Sequence, residues 1–159
     1  MLATLETQQV IIPSGRFEVD PAHSQIAFRV VDAEALKVIA GRFSELEGAI
    51  EDGVATGIVR VASLTTAQQQ RDEHLLSADF FEADTYPEFR FSDGRLESLG
   101  DDGVKLTGSL ELKGIAQQVE LEGTLTVGED RVVFTSTGTL EWGPMTVELI
   151  VDVTAAKSA

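Results

Sequence analysis

A strict alternation of apolar and polar residues between Val104 and Lys113 is the feature that most constrains how this chain of 159 residues can fold. One face comprises Val104, Leu106, Gly108, Leu110 and Leu112, and the polar residues that alternate with them are Lys105, Thr107, Ser109, Glu111 and Lys113. Successive side chains of a β-strand point to opposite faces, so a period of two predicts a strand with one apolar face and one wet face. The same alternation recurs over 119–127, which indicates an antiparallel β-protein.

The rest of the chain divides into strand candidates of the same kind, joined mostly by short turns. Eight are predicted: 16–31 with a corner at Asp20–Pro21, 36–50 with an irregularity between Phe43 and Leu46, 57–64, 89–99, 104–113, 119–127, 131–140 and 146–154. Short turns favour pairing between neighbours, and closing eight strands up-and-down removes the exposed edges. The predicted fold is therefore an all-β, eight-stranded, up-and-down antiparallel barrel. A two-sheet sandwich is the alternative, disfavoured because the candidates at 38–50 and 102–113 are long for a sandwich.

The only long interruption of this pattern runs from Leu64 to Phe91, between the third and fourth strands. We predict one or two helical turns over 72–79, with an apolar face made of Leu75, Leu76, Phe80 and Phe81. Pro87 ends any helix and favours an extended conformation at the residue before it. The interruption is thus predicted to be a short helical insertion.

Composition excludes several classes of function. The chain has 27 acidic and 12 basic residues, a net charge of -15, which repels phosphate backbones, so nucleic acid is not an expected partner. The absence of cysteine excludes disulfides, thiol catalysis and cysteine-bound metals. No segment approaches the ~18 consecutive apolar residues of a membrane span. We expect a loosely ordered arm over 1–15, one domain over 16–155 and, because no signal-like segment is present, a cytoplasmic location.

Few residues are candidates for catalysis or metal binding. The histidines are His23 and His74, and the nearest metal set, Asp72, His74 and Asp79, is a weak pattern. Asp20, His23 and Ser24 have the residue types of a catalytic triad. Neighbouring residues of a strand point to opposite faces, however, so His23 and Ser24 are not expected to face each other. No glycine-rich segment precedes a helix, so no nucleotide cofactor is indicated. We expect no catalytic residue, no metal and no cofactor.

Two groups are better suited to binding. The phenylalanines, among them Phe28, Phe43 and Phe134, either fill the barrel core or line an apolar tunnel. Arg71, Asp72 and His74 precede an apolar helical turn, where they could bind a polar head group at the rim or simply cap the helix start.

At these residues the chain resembles the YceI-like family of lipid-binding proteins, also called polyisoprenoid-binding proteins. The resemblance runs from about Phe17 to Thr154. Its motifs are Asp20–Phe28, Gly41–Phe43 with Glu47–Gly48, Arg71–Leu75 followed by Asp79–Phe81, Tyr86–Phe91, and Gly108–Gly114. Their order and spacing together make the resemblance specific.

The resemblance implies a lipocalin-like barrel whose elongated apolar cavity takes the chain of an isoprenoid, an isoprenoid quinone or a similar amphiphilic lipid. Family members are commonly exported, and this chain departs from that pattern by lacking a signal. The leading hypothesis is a soluble carrier or sequestering protein for a long apolar ligand, with transport as one possible role. Contacts to the tail are assigned to Ile26, Phe28, Val30, Phe43, Phe80, Phe81, Phe89, Phe91 and Leu110, and contacts to the head group to Arg71 and His74.

Two other functions stay open. One is a hydrolase or isomerase that uses Asp72 and His74 as an acid–base pair on a bound lipid. The other is a filled barrel that binds a protein partner on its outer face. A homodimer formed through an exposed strand face is considered as well.

Overall fold

The computed structural model describes residues 11–32, 37–77, 81–142 and 145–158. Its strands are β1 Arg16–Val19, β2 Gln25–Asp32, β3 Lys37–Phe43, β4 Leu46–Glu51, β5 Val54–Arg60, β6 Leu64–Thr65, β7 Glu88–Gly100, β8 Gly103–Leu112, β9 Ile115–Val127, β10 Arg131–Trp142 and β11 Met145–Lys157. One α-helix, α1, spans Gln69–Leu76. Within the described ranges, no helix is long and apolar enough to span a bilayer.

These segments form eight barrel strands, because three of the strands are bent into two pieces each. The bent strands are β1 with β2, β3 with β4, and β5 with β6. Each of these eight barrel strands pairs antiparallel with the barrel strands before and after it in the chain. The last strand, β11, closes the barrel by pairing with both β1 and β2. The predicted eight-stranded up-and-down barrel is confirmed.

Local sequence explains the bends in the first two of these strands. The first bend is a 3-10 turn at Pro21–His23, whose start is capped where the Asp20 carboxylate accepts a hydrogen bond of 3.0 Å from the amide of Ala22. The second lies between Phe43 and Leu46, as the sequence predicts. Proline at the start of the first turn suits its fixed backbone angle and its missing N–H.

A β-bulge in β7 changes the direction of the side chains in the middle of the barrel wall. On one side of β7 the register shifts between Ala55 and Gly57, and on the other it shifts between Ser92 and Arg95. Asp93 lies in this bulge with a φ of 55°. A bulge inserts one extra residue and increases the local twist of the strand.

The helical insertion differs from its prediction in position. The helix begins three residues before the predicted Asp72, at Gln69, and ends at Leu76. The helix starts earlier because the Asp72 carboxylate accepts a hydrogen bond from the amide of Thr66, which places Asp72 inside the first turns rather than before them. Asp79 and Phe80 lie outside the described residues.

Two clusters of buried side chains fill the barrel. The upper cluster lies beneath α1 and comprises Phe28, Val30, Phe43, Val61, Leu64, Leu75, Phe81, Phe89, Leu112, Val119 and Leu140. The lower cluster comprises Phe17, Ile50, Ala55, Val104, Leu106, Leu121, Leu125, Val132, Phe134 and Ala155. Phe91 and Leu149 pack against both clusters, and so mark the middle of the barrel.

Candidate functional site

The barrel contains a partly open internal cavity of about 190 Å³. Apart from Glu47, Thr56 and two glycines, all the described residues that line it are apolar: Val19, Ile26, Phe28, Val30, Phe43, Leu46, Ala49, Ile50, Ala55, Ile58, Val59, Phe81, Phe89, Phe91, Leu96, Leu106, Leu110, Leu112, Val119, Leu121, Phe134, Leu140, Val147, Leu149, Val151 and Val153. Glu47 and Thr56 are exposed at the outer surface. The wall therefore offers contacts to an apolar molecule and no buried charge.

The cavity is elongated along the strands. Its wall includes Val147, Leu149, Val151 and Val153, which are the inward positions of β11. At about 3.3 Å per residue, this stretch of strand covers roughly 20 Å. A space of this shape suits an extended chain better than a compact ring system.

Beyond the cavity at each end, the two clusters contain further buried side chains that do not line it. At the upper end these are Val61, Leu64 and Leu75. At the lower end they are Phe17, Val104, Leu125, Val132 and Ala155. The upper cover belongs to α1 and the segment before it, whereas the lower cover is built from long barrel strands.

Most of the side chains that we assign to the ligand tail lie together on the cavity wall. These are Ile26, Phe28, Val30, Phe43, Phe81, Phe89, Phe91 and Leu110. Phe80 lies outside the described residues. Their contact with a ligand stays a prediction.

Four of the phenylalanines form one aromatic cluster at the upper end of the cavity. The ring centroid of Phe43 lies 5.4 Å from that of Phe28, 5.5 Å from that of Phe89 and 6.4 Å from that of Phe81. Phe81 and Phe89 are 5.4 Å apart in an edge-on arrangement. Such geometry adds to the energy of simple burial. The cluster both fills part of the barrel and forms part of the cavity wall. These phenylalanines therefore combine the two predicted roles, core filling and the lining of an apolar space.

The polar residues assigned to a head group are placed differently. Neither Arg71 nor His74 is among the described residues that line the cavity. The Arg71 side chain donates to the hydroxyl and to the carbonyl oxygen of Thr66, at 2.9 Å each. His74 is exposed on α1. Arg71 thus anchors the start of the helix. This role resembles the predicted alternative, in which these residues cap the helix start, more than a head-group site.

Asp72 and His74 are not brought together as an acid–base pair. The Asp72 carboxylate accepts a 2.8 Å hydrogen bond from the amide of Thr66 and a second bond from its hydroxyl. Residues two positions apart on a helix do not face each other. The geometry therefore does not favour the enzymatic alternative.

Of the three residues considered as a catalytic triad, Asp20 and His23 are in contact, whereas Ser24 is bonded elsewhere. His23 lies in the 3-10 turn rather than on a strand, and its Nδ1 lies 2.8 Å from Oδ2 of Asp20. The Ser24 hydroxyl instead bonds to the backbone of Thr154, donating at 3.2 Å and accepting at 3.0 Å. The hydrogen bond with His23, with a smaller one from the Ala22 amide, lowers the pKa of Asp20 although desolvation opposes it. These groups stabilise the corner between β1 and β2.

No group of three His, Asp or Glu side chains within the described ranges is arranged to hold a metal ion. The charged residue on the cavity lining, Glu47, has its Oε1 3.6 Å from the Arg60 guanidinium at the outer surface. The site can exclude water and hold apolar groups, and none of the described residues presents an ionisable group to the interior.

The site residues predicted from the sequence do not include the inward positions of β11 or two glycines that line the cavity. The apolar positions Val147, Leu149, Val151 and Val153 recur at every second residue, so this pattern could have assigned them to the wall although Ile150 between them is apolar too. Gly48 and Gly57 also line the cavity. Only the tertiary pairing shows that they lie opposite each other on β4 and β5.

Comparison with proteins of known sequence gives relatives that are themselves named only as members of a family. A UPF0312 protein of Photorhabdus laumondii is 26% identical over 134 residues, which cover 80% of this chain and 68% of the relative. A UPF0312 protein of Vibrio parahaemolyticus is 29% identical over 133 residues, covering 76% of this chain and 70% of the relative.

Solved structures share the barrel. BcnA of Burkholderia cenocepacia superposes with a TM-score of 0.76 at 18% identity, covering 86% of this chain and 98% of BcnA. A polyisoprenoid binding domain from Saccharophagus degradans, implicated in plant cell wall breakdown, superposes with a TM-score of 0.71 at 14% identity, covering 89% and 98%. At these identities the likeness is one of fold. The model of the YceI-like domain matches residues 17–154, which is nearly the whole chain, and the protein therefore belongs to the YceI-like domain family.

Proposed function

We propose that this protein is a binding and carrier protein that holds a long apolar ligand of the isoprenoid class in the barrel interior. The observation that supports the proposal is the elongated cavity, whose buried wall is made of apolar side chains. The structural likeness to a polyisoprenoid binding domain supports the choice of ligand class. The proposed contacts to the tail are those of the predicted residues on the cavity wall.

The energetics of such a complex need no covalent chemistry. Burying roughly 300 Å² of apolar chain at ~25 cal/mol per Å² contributes about 7 kcal/mol before the cost of ordering the ligand. This suffices for useful affinity. Catalysis is not part of the proposal, because Asp72 and His74, the pair considered for it, do not line the cavity.

The wall also limits the kind of head group that can enter. A charge buried without a partner is strongly disfavoured, and the interior offers no ionisable partner among the described residues. A neutral group such as a quinone ring or an alcohol could enter the cavity, whereas a charged group would have to stay in water. The proposed ligand is accordingly an isoprenoid, an isoprenoid quinone or a similar amphiphile bound by its tail.

Native mass spectrometry of the purified protein, followed by organic extraction and identification of the extract, tests this proposal. We expect an apolar adduct in a one-to-one ratio, or its formation after incubation with isoprenoid quinones or prenyl alcohols. A mass that stays that of the bare chain after these incubations would contradict the proposal and favour a filled barrel.

A pair of variants on β11 shows whether binding occurs inside the barrel. Val151 lines the cavity, and the preceding residue, Ile150, lies on the opposite face of the strand. We expect Val151→Trp to abolish the adduct because the indole occupies the cavity, and Ile150→Trp to retain it. Equal adduct formation by the two variants would place the binding site outside the barrel.

A further inference from the structure

We propose that Gly57, opposite Gly48 in the cavity wall, makes this site selective for methyl-branched chains over straight ones. The inference rests on the proposed carrier function and adds to it the feature that would discriminate between ligands. It follows from a comparison of the inward-facing glycines of the barrel.

Several inward glycines of the wall are already covered by an aromatic ring. A methyl group at position 41 would lie 2.6 Å from Cζ of Phe28. Methyl groups at positions 94 and 108 would each lie 2.4 Å from the ring of Phe91. At these positions the missing side chain makes room for a neighbouring residue of the protein itself. They leave no space for a ligand.

Gly48 is required by the close approach of the backbone. It pairs directly with Gly57, and both share the inward orientation of the flanking pairs Leu46 with Val59 and Ile50 with Ala55. A methyl group at position 48 would lie 2.5 Å from the carbonyl oxygen of Thr56. Any side chain there would force the two strands apart.

Gly57 has neither of these reasons to be glycine. The nearest atom to a methyl group at position 57 is the carbonyl oxygen of Glu47 at 3.6 Å, which is an ordinary van der Waals distance, and its φ is not in the left-handed region. Glycine in a strand lowers stability relative to alanine because it loses more backbone entropy. The chain thus forgoes stability here, and what it gains is open space in the cavity.

The open space lies in the middle of the cavity, between the two buried clusters. Because Gly48 and Gly57 face each other without side chains, the backbone of β4 and β5 forms the wall, and the cavity gains width at that point. A straight alkyl chain does not need this width. An isoprenoid chain does, because methyl branches project from it at regular intervals.

A displacement titration with two alcohols of equal main-chain length tests the inference. The probes are hexahydrofarnesol, which carries methyl branches, and 1-dodecanol, which does not; both displace a fluorescent apolar dye. The proteins are the wild type, Gly57→Ala, Gly57→Val and the control Ala40→Val, which adds the same kind of bulk on the exposed face of β3.

We expect Gly57→Val to weaken hexahydrofarnesol binding by about tenfold or more relative to 1-dodecanol, Gly57→Ala to have a smaller effect in the same direction, and Ala40→Val to have none. Equal losses for both alcohols, or no loss, in a protein whose wild type binds them would overturn the inference and leave the carrier function intact. Failure of the wild type to bind either alcohol would count against the carrier function itself.

Thermal unfolding separates the functional reason for Gly57 from a structural one. We expect Gly57→Ala to unfold at the wild-type temperature or above, since its methyl group fits and restricts the unfolded chain. A clear decrease would show that glycine is needed for the strand, and would overturn the inference. This readout also serves if Gly57→Val fails to fold.

Discussion

Thr66 is the residue on which the polar side chains at the start of α1 converge. Its hydroxyl accepts a hydrogen bond from Arg71 and donates one to Asp72, and its amide also donates to Asp72. Thr66 is only 8% exposed, and its methyl group packs beside Gly41, next to the Phe28 ring. Arg71 and Asp72 therefore fix the helix over the upper end of the cavity.

Removing the Asp72 carboxylate should loosen this attachment. We expect Asp72→Ala to lower the free energy of unfolding by about 1–3 kcal/mol, because the partly buried Thr66 amide and hydroxyl lose their acceptor. The control Glu73→Ala, at an exposed position of the same helix, should change it by less than about 0.5 kcal/mol. Urea denaturation measures both, and equal effects would contradict the role assigned to Asp72.

The contact between Asp20 and His23 gives the corner at β1–β2 a dependence on pH. The lowered pKa of Asp20 means that the folded state favours its ionised form, so this stabilisation is present above the ordinary value of 3.8 and is lost as the pH falls through the lower folded value. We expect His23→Ala to raise the pKa of Asp20 toward its ordinary value, and His74→Ala to leave it unchanged. NMR titration of the Asp20 carboxyl measures this pKa; an unaltered value in His23→Ala would refute the assignment.

Residue patterns predicted which side chains face the interior, but not how much space they leave. Phe28 and Phe91 alternate correctly with their neighbours, and the structure places both on the cavity wall. That the Phe91 ring lies against Gly94 and Gly108 depends on the bulge in β7 and on the register with β8. A cavity is what remains after such long-range packing, so the linear sequence carries little direct signal for its volume.

At the scale of the elements, two tight hairpin turns have the same backbone conformation but different residues. Asp52 and Gly53 join β4 to β5 with φ values of 50° and 83°, and Lys113 and Gly114 join β8 to β9 with 52° and 79°. Turns with two positive φ angles suit the twist of paired strands, and Asn or Asp followed by Gly is preferred there. Lysine at the first position is the less favourable choice.

Replacing this lysine should stabilise the barrel. We expect Lys113→Asn to raise the free energy of unfolding by about 0.5 kcal/mol or more, because asparagine adopts the left-handed conformation more readily. The control Lys105→Asn lies within β8, where asparagine is disfavoured, and should not stabilise. Denaturant unfolding of both variants decides the matter, and a gain at Lys105 alone would contradict this reasoning.

The elements themselves were largely predictable, and the differences have physical causes. The strands, the corner at Asp20–Pro21 and the irregularity after Phe43 follow from local alternation and turn chemistry. The start of α1 was misplaced because it depends on Thr66, a residue that is buried only in the folded barrel. Local propensity cannot anticipate such a tertiary anchor.

At the scale of the whole molecule, the net charge of -15 determines the electrostatic interaction of the protein with a charged membrane surface. Its ion pairs, such as Arg16 with Glu51 at 2.9 Å, are largely exposed and add little to stability. The excess negative charge repels anionic lipids over a Debye length, which is about 30 Å at 0.01 M salt and about 8 Å at 0.15 M.

Transfer of a bound isoprenoid from the protein to vesicles should therefore depend on lipid charge. At about 0.01 M salt we expect faster transfer to phosphatidylcholine vesicles than to vesicles that also contain phosphatidylglycerol, and we expect the difference to shrink at about 0.15 M. A fluorescent prenyl alcohol loaded into the protein reports the rate by energy transfer to a membrane dye. Faster transfer to the anionic vesicles at low salt would contradict the electrostatic argument.

The contrast between the two ends of the barrel limits the length of ligand chain that the cavity can hold. The lower end is filled by Phe17, Val104, Leu125, Val132 and Ala155, whereas the upper end is covered by α1 and its preceding segment. For a chain that enters past α1, each added carbon gains contact until its tip reaches the lower-cluster residues that line the cavity, such as Ile50, Ala55 and Phe134, and any further length has to remain outside. Affinity in a homologous series should then rise with chain length to a plateau, and the position of that plateau would measure the depth of the barrel in carbon atoms.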